Sequence, residues 1–245
     1  MKALILAAGL GTRLKPLTNS IPKALIPING KTLLEYQILN LKKYGFNEIV
    51  INVHHFPNQI IDFLKSKNNF GLNIKISDER DFLLDTGGGI RQTEWFFNDG
   101  KPFLVHNVDI FSNIDLYQLY RQHLSLNGLA TLVVSSRKTS RYLLFDENLQ
   151  LKGWFNGKTQ EIKPTTININ QFQKLAFAGI QILSPQIFKL MKNWEPPFSI
   201  IDFYLQNMER YPIFGYIPPE FKILDVGKIQ ALNEAEKFIP QFFDF

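Results

Sequence analysis

Short apolar runs alternate along the chain with stretches in which apolar residues recur every three or four positions, a pattern that predicts strands joined by crossover helices. Residues 2–7 read as a first strand. Residues 32–44 place Leu33, Leu34, Tyr36, Leu39 and Leu41 at helical spacing and stop at Gly45, a C-cap residue. Residues 48–53 read as a second strand, 58–67 as a helix and 72–77 as a third strand. Asp85-Thr86-Gly87-Gly88-Gly89-Ile90 opens another helix, and the apolar strand 103–105 runs into Asn107 and Asp109. The fold class expected is α/β: a Rossmann-like mixed, mainly parallel sheet flanked by helices. Loops at the carboxyl ends of parallel strands gather on one edge, so the segment after the first strand, the triple glycine and Asp109 can share a crevice.

From Leu129 onward the texture changes. Residues 130–135 and 141–145 look extended, Asp146-Glu147-Asn148 looks like a hairpin turn, and 149–155 like its return strand, so this half adds antiparallel strands. Residues 156–174 are polar and read as a loop over the site. Then come a strand over 176–183 containing Gly179, a helix over 185–191, and a helix over 199–210 whose Ser199 and Asp202 suit an N-terminus. The tail reads as strands 214–217 and 222–226 and a helix over 228–238. One domain over residues 1–245 is expected, in two halves, 1–128 and 129–245.

Composition adds limits. A chain of 245 residues that is 45% hydrophobic buries one substantial core. A formal charge of +5 suits an anionic ligand, but no basic run exceeds two residues, which does not fit nucleic acid as a partner. The absence of cysteine excludes disulfides, thiolate metal sites and thiol nucleophiles and fits a reducing cytoplasm. The apolar start is too short for a signal peptide and nothing approaches a membrane span, so a cytoplasmic protein without a membrane partner is expected. An oligomer is possible, but the sequence does not specify one.

The chemistry is concentrated in Leu6-Ala7-Ala8-Gly9-Leu10-Gly11-Thr12-Arg13 and the following Pro22-Lys23-Ala24-Leu25-Ile26-Pro27. Gly9 and Gly11 let backbone N–H groups approach phosphate oxygens, Arg13 offers a planar fork, and Lys23 a point charge on a segment stiffened by two prolines. That combination points to a nucleoside triphosphate. The dinucleotide fingerprint fails, because Leu14 stands where its third glycine belongs and Pro16 interrupts the helix. A Walker loop fails as well: Gly30-Lys31-Thr32 supplies a tail, but Leu25 occupies the required upstream glycine.

The string Gly-x-Gly-Thr-Arg, Pro-Leu-Thr and Pro-Lys-x-Leu-x-Pro resembles the signature of the sugar-1-phosphate nucleotidylyltransferases, and later matches extend the resemblance over nearly the whole chain. It looks most like short bacterial members that act on N-acetylmuramate 1-phosphate with UTP, with those using GTP and mannose- or heptose-type 1-phosphates close behind. The resemblance implies the fold type of the nucleotide-diphospho-sugar transferases. The implied reaction is attack of a sugar 1-phosphate on the α-phosphorus of an NTP, giving NDP-sugar and pyrophosphate, for cell-wall or surface polysaccharide. It also implies Mg²⁺, with Asp109 and Asp225 (in Leu224-Asp225-Val226-Gly227) as metal carboxylates, and Arg13, Lys23 and Asp109 as catalytic. Ala8, Gly9, Gly11, Thr12, Arg13, Lys23, Thr86, Gly87, Gly88 and Asn107 are implied for the nucleotide, in a mainly NTP-binding half (1–128), and Gly153, Asn156, Gly179 and Asp202 for the sugar, in a mainly sugar-binding half (129–245).

Several positions depart from that signature or stay open. Val108 stands where glycine often precedes the metal Asp, and Leu224 replaces a frequent aromatic. The Glu-Lys-Pro-like string of many relatives corresponds to Gly153-Trp154-Phe155-Asn156-Gly157-Lys158, where Lys158 is either a sugar-phosphate ligand or, by preference, a solvated loop charge. His54 and His55 at a strand end face opposite ways and so suit no single metal. No β-helix of hexapeptide repeats follows, so a second, acyl-transferring activity is not expected. Two other classes remain: a glycosyltransferase, to which Asn107-Val108-Asp109 gives half of an Asp-x-Asp pair, and a catalytically silent nucleotide sensor.

Overall fold

The computed structural model describes residues 1–243. In chain order its elements are β1 (Lys2–Leu6), β2 (Pro27–Ile28), β3 (Lys31–Thr32), α1 (Leu33–Lys43), β4 (Glu48–Val53), α2 (Pro57–Ser66), β5 (Asn73–Asp78) and α3 (Asp85–Gln92). Then follow β6 (Phe103–Asn107), β7 (Ile110–Ser112), α4 (Leu116–Leu126), β8 (Ala130–Ser135), β9 (Arg141–Phe145), β10 (Leu151–Asn156), β11 (Ile162–Lys163) and β12 (Gln173–Leu183). The chain closes with α5 (Gln186–Met191), α6 (Ile200–Asn207), β13 (Ile213–Tyr216), β14 (Ile223–Asp225) and α7 (Ile229–Phe242).

A mixed sheet runs through the molecule in the order β11-β10-β9-β12-β6-β1-β4-β5, with β8 pairing β12 and β13 pairing β8. The stretch β6-β1-β4-β5 is parallel, and beyond β6 the strands β12, β9, β10 and β11 are antiparallel. Alternate side chains of β1 go to opposite faces. Ala3 and Ile5 join Ile49, Ile51, Ile38, Leu41 and Ile239 on one side, while Leu4 joins Val50, Ile90, Phe103, Phe188 and Phe203 on the other. Strands buried on both faces are apolar throughout, which is why the first two read so clearly in sequence.

Local chemistry sets the ends of the elements. Thr32 Oγ1 accepts from Glu35 N (3.1 Å) to start α1, which ends before Gly45 at φ +80°. Ser199 Oγ accepts from Ile201 N (3.1 Å) at the start of α6. Helix α7 runs to Phe242, past the expected end at residue 238, even though it contains Pro240. Proline at that position leaves the carbonyl of Glu236 without its helical donor, and Asn29 Nδ2 supplies one at 2.8 Å.

Two segments differ from the reading of the sequence. The polar stretch 156–174, expected as a loop, contains β11 and the first residues of β12, which starts three residues before the expected strand. Gln173 and Lys174 lack the apolar signal because this end of β12 pairs only β9 at the sheet's outer part. Residues 110–128, for which the pattern predicts no element, hold β7 and α4. The latter is capped by Asp115, whose Oδ1 accepts from Gln118 N at 2.9 Å. Among the described residues no helix is long and apolar enough to cross a membrane.

Two core histidines make stability depend on pH. His123 sits between Thr131 Oγ1 (2.9 Å) and Ser184 Oγ (3.0 Å), and His106 Nδ1 lies 2.8 Å from the carbonyl of Asn107. Burial pulls both imidazoles down to about 4. An unfolded histidine titrates near 6.5, so between those values the unfolded chain binds protons that the folded one refuses, and stability falls as pH drops. Each is expected to cost on the order of 2 kcal/mol on going from pH 7.5 to 5. Glu79, whose carboxyl burial pushes up, acts in the opposite sense. The urea midpoint should therefore fall over this interval and the fall should shrink in His123→Gln; equal midpoints at the two pH values contradict the argument.

Candidate active site

The carboxyl ends of β1, β4 and β5 are tied together by one buried chain of hydrogen bonds. Ala7 N donates to Asn52 Oδ1 (2.7 Å), and Asn52 Nδ2 donates to Glu79 Oε1 (2.7 Å), whose second oxygen accepts from Leu84 N (3.3 Å). Glu79 is 3% exposed, and desolvation raises its carboxyl above the usual range, opposed by the bonds from Asn52 and Leu84. These groups and the start of the first loop enclose a cavity of about 470 Å³, lined by Leu6, Ala7, Ala8, Gly9, Asn52, Glu79, Thr86, Asn107, Lys23 and Asp109 among others. Neither Asn52 nor Glu79 was marked by the sequence, because each stands in an ordinary strand end and only the bond between them singles them out.

Across β1 from Glu79, on the β6 side, the cavity wall carries an ion pair between Lys23 Nζ and Asp109 Oδ2. Both side chains are largely buried, at 12% and 14% exposure. Lys23 begins a 3-10 turn whose preceding residue, Pro22, is extended. Asp109 leaves β6 just after Val108, whose N–H continues the ladder to Leu6 O at 3.1 Å. Val108 therefore keeps strand-like backbone here and is itself buried.

Asp225 comes beside Asp109 through strand pairing. Strand β14 runs antiparallel to β7 with Asp225 opposite Ile110, and Val226 N donates to Asp109 O at 2.9 Å. The Asp225 carboxylate, however, lines a separate concavity of about 260 Å³ with Arg13, Lys228 and Glu234. A Cβ on Gly227 would stand 2.7 Å from both Arg13 Nη2 and Asp225 Oδ1, so only glycine lets the two groups close over this backbone. Residues 13, 23, 109 and 225 are thus contiguous but form two adjoining pairs, and Arg13, expected at the phosphates with Lys23, does not line the larger cavity.

The rest of the first loop divides in the same way. Ala8 and Gly9 line the large cavity, and a Cβ on Gly9 would meet nothing within 4 Å. Gly11, at φ +63°, turns the chain so that its carbonyl accepts from Leu14 N (2.8 Å) and Thr18 Oγ1 (2.9 Å), and Thr12 opens the following 3-10 turn away from the cavity.

Thr86 lies on the wall of the cavity and is fastened by its hydroxyl, which accepts from Ile200 N at 3.0 Å. Gly87 and Gly88, expected near the base, are buried in the packing of α3 and do not line the cavity. The N–H of Gly87 already donates to Phe198 O (2.9 Å), and a Cβ there would stand 2.3 Å from the Phe198 ring. On Gly88 a Cβ would meet Leu84 at 2.9 Å.

A second cleft of about 580 Å³ adjoins the first and shares Leu6, Asp85, Thr86 and Asn107 with it. Of the four residues expected at the acceptor, Asn156 and Asp202 line this cleft, and Gly153 and Gly179 do not. Those glycines act on packing. At Gly153 a Cβ would come within 2.7 Å of Lys163 O, and Gly179, at φ +75°, leaves room for the Asn107 side chain 2.7 Å away. Asn107 is thereby held where the two cavities meet.

Lys158 does not line either space: it sits exposed in a turn where its N–H donates to Asn156 Oδ1 at 3.0 Å. The lysine on the cleft wall is Lys163, 3.6 Å from Asp202 Oδ1 and over the Trp154 ring. It belongs to Glu161-Ile162-Lys163-Pro164, a string one residue longer than Glu-Lys-Pro that a search allowing an insertion would have found. His54 and His55 are each bound to a backbone carbonyl, Glu79 O at 2.6 Å and Thr18 O at 3.0 Å. Among the described residues no three His, Cys, Asp or Glu side chains cluster as a metal cage.

The model of the family described as nucleotidyl transferase matches residues 2–241. An N-acetylmuramate alpha-1-phosphate uridylyltransferase of Caulobacter vibrioides is 42% identical over 242 residues, 96% of this chain and 95% of that protein. A probable mannose-1-phosphate guanylyltransferase 1 of Oryza sativa is 32% identical over 193 residues, 76% of this chain and 51% of that protein. A crystal structure of UDP-glucose pyrophosphorylase complexed with UDP-glucose has the same fold, with a TM-score of 0.79 at 21% identity and 98% coverage of both chains.

Proposed function

The chain belongs to the nucleotidyl transferase family, and from that premise we propose that it moves a uridylyl group from UTP to N-acetylmuramate 1-phosphate, releasing pyrophosphate. It is a nucleotidyltransferase of the sugar-1-phosphate class. The observation that carries the reading is the pair of adjoining cavities, one ending at the Lys23 and Asp109 ion pair and the other sharing Thr86 and Asn107 with it. Similarity along nearly the full length of a uridylyltransferase that names this sugar supports the subtype. Guanylyl transfer to mannose 1-phosphate is the second reading, supported by a relative of that description.

The triphosphate would lie with its base toward Asn52 and Glu79 and its phosphates toward Lys23 and Asp109. Asn52 on β4 and Asp109 after β6 sit on opposite sides of β1, two strand spacings or ~10 Å apart, and Glu79 after β5 lies one spacing beyond Asn52. A carboxylate accepts hydrogen bonds only, so Glu79 suits a base whose pairing edge carries an imino N–H, which uracil and guanine share. A sugar-phosphate oxygen then attacks the α-phosphorus as the bond to pyrophosphate breaks. The attacking phosphate is already an anion at neutral pH, so no general base or covalent intermediate is required. Lys23 would neutralise charge that grows on the phosphorus and the leaving group. In the acceptor cleft, Asn107, Asn156 and Asp202 would meet the sugar's hydroxyls, with the sugar phosphate toward Lys23 and Asp109.

Mg²⁺ fits the donor set. Asp109 and Asp225 are hard oxygen ligands on neighbouring strand ends, and a cation that takes few carboxylates and completes its shell with phosphate oxygens and water suits a site without a protein cage. When bound it would add charge compensation at the phosphates. Asp109, on the cavity wall, is the first ligand of this reading; Asp225, whose carboxylate lines the adjoining concavity, would serve as the second by turning toward it.

A matrix of the four NTPs against N-acetylmuramate, N-acetylglucosamine, mannose and glucose 1-phosphates, read by released pyrophosphate, tests the reading. UTP with N-acetylmuramate 1-phosphate is expected to give the highest kcat/KM. GTP with mannose 1-phosphate in first place would establish the second reading, and no release from any pair would refute both.

A further inference from the structure

Two cations line the acceptor cleft, and only one of them is engaged. Lys163 Nζ lies 3.6 Å from Glu161 Oε1 and 3.6 Å from Asp202 Oδ1, so its one charge is shared between those two carboxylates. A third carboxylate on the wall, Asp85, is turned to its own backbone, where Oδ1 accepts from Thr86 N at 2.6 Å. Arg141, the first residue of β9, is the other cation. Its guanidinium has neither an ion pair nor a hydrogen bond among the described residues.

The position of that guanidinium sets what it can reach. Arg141 pairs in register with Asn156 on β10, and β9 is two strands from β6 in the order β9-β12-β6. At the usual strand spacing this puts it ~10 Å across the sheet from the β6 end that carries Asn107 and leads to Asp109. A group there meets a sugar substituent remote from the anomeric phosphate. A planar guanidinium at the rim of a cleft binds a carboxylate through two parallel N–H bonds and gains nothing comparable from a hydroxyl.

We propose that Arg141 holds a carboxylate carried by the acceptor sugar, so that the cleft selects acidic sugar 1-phosphates over neutral ones. The inference rests on the reading of this cleft as the acceptor site. It gives a physical reason for a muramate-type acceptor, whose lactyl ether ends in a carboxylate, and it assigns the selectivity to a side chain that the family signature does not include.

N-acetylmuramate and N-acetylglucosamine 1-phosphates form a matched pair that differs only by the lactyl group. Their Kd values would be measured by titration into parent, Arg141→Gln and Arg141→Lys proteins loaded with Mg²⁺ and a non-hydrolysable UTP analogue. The parent is expected to prefer the acid, and the ratio of the two Kd values to collapse by roughly 10- to 100-fold in Arg141→Gln, the range for a hydrogen bond to a charged group. Arg141→Lys, which keeps the charge and loses the fork, should fall between. A parent ratio near one, or a ratio unmoved by Arg141→Gln, overturns the proposal. Pyrophosphate release, followed in parallel, keeps the two readings apart. If no sugar phosphate turns over, the transfer reading fails, while the titration still decides for or against Arg141.

Discussion

Asp109→Asn is expected to fold like the parent and to lose kcat by about 10³-fold, the scale set by removing one preorganised charged group from a polar transition state. The substitution keeps the size of the side chain. Its backbone role, accepting from Val226 N at 2.9 Å, is untouched. What disappears is the negative charge on the cavity wall, and with it both the partner of Lys23 and the first ligand proposed for Mg²⁺. Pyrophosphate release at saturating UTP and sugar phosphate, with urea unfolding as a control, checks this. A stable Asp109→Asn protein with near-parent kcat in Mg²⁺ would falsify the metal assignment.

Lys23→Met carries the second large effect. It removes the ammonium but keeps most of the apolar stem, so packing of the 3-10 turn Lys23–Leu25 should survive. The loss expected in kcat/KM is about 10²- to 10³-fold, with Lys23→Arg recovering only part, since a planar fork does not replace a compact charge in a cavity this closely lined. The two substitutions should not add. Lys23 and Asp109 contact each other, so the double variant is expected to lose far less than the product of the single losses. Strict additivity would mean that the two groups act independently, against the geometry.

Much of the site was legible because its parts sit at the ends of strongly patterned strands. Gly9, Thr86, Asn107 and Asp109 fall where β1, β6 and the start of α3 deliver them, Lys23 sits just after Pro22, and the apolar runs locate those strands within a residue or two. Glu79, Asn52, Lys163 and Arg141 were not legible on the same grounds. Each is an ordinary polar residue in its own neighbourhood, and it matters only because sheet pairing brings it to a wall built by other segments. Gly87 and Gly179 carry a packing demand that the sequence did not show: a Cβ at either would run into Phe198 or Asn107.

By itself the sequence determined the α/β class, the parallel order of strand and helix in the first half, and a glycine loop followed by Arg13 and Lys23. These follow from periodicity and from backbone and charge chemistry within a few residues. Only the tertiary structure decided that Lys23 pairs with Asp109 while Arg13 stands beside Asp225, that the second cleft is walled by β9, β10, β11 and α6, and that Arg141 is its one cation without an ion pair or side-chain hydrogen bond among the described residues. The reason is physical: strand register and a bulge near Gly179 set distances between residues far apart in the chain, and no local pattern encodes such distances.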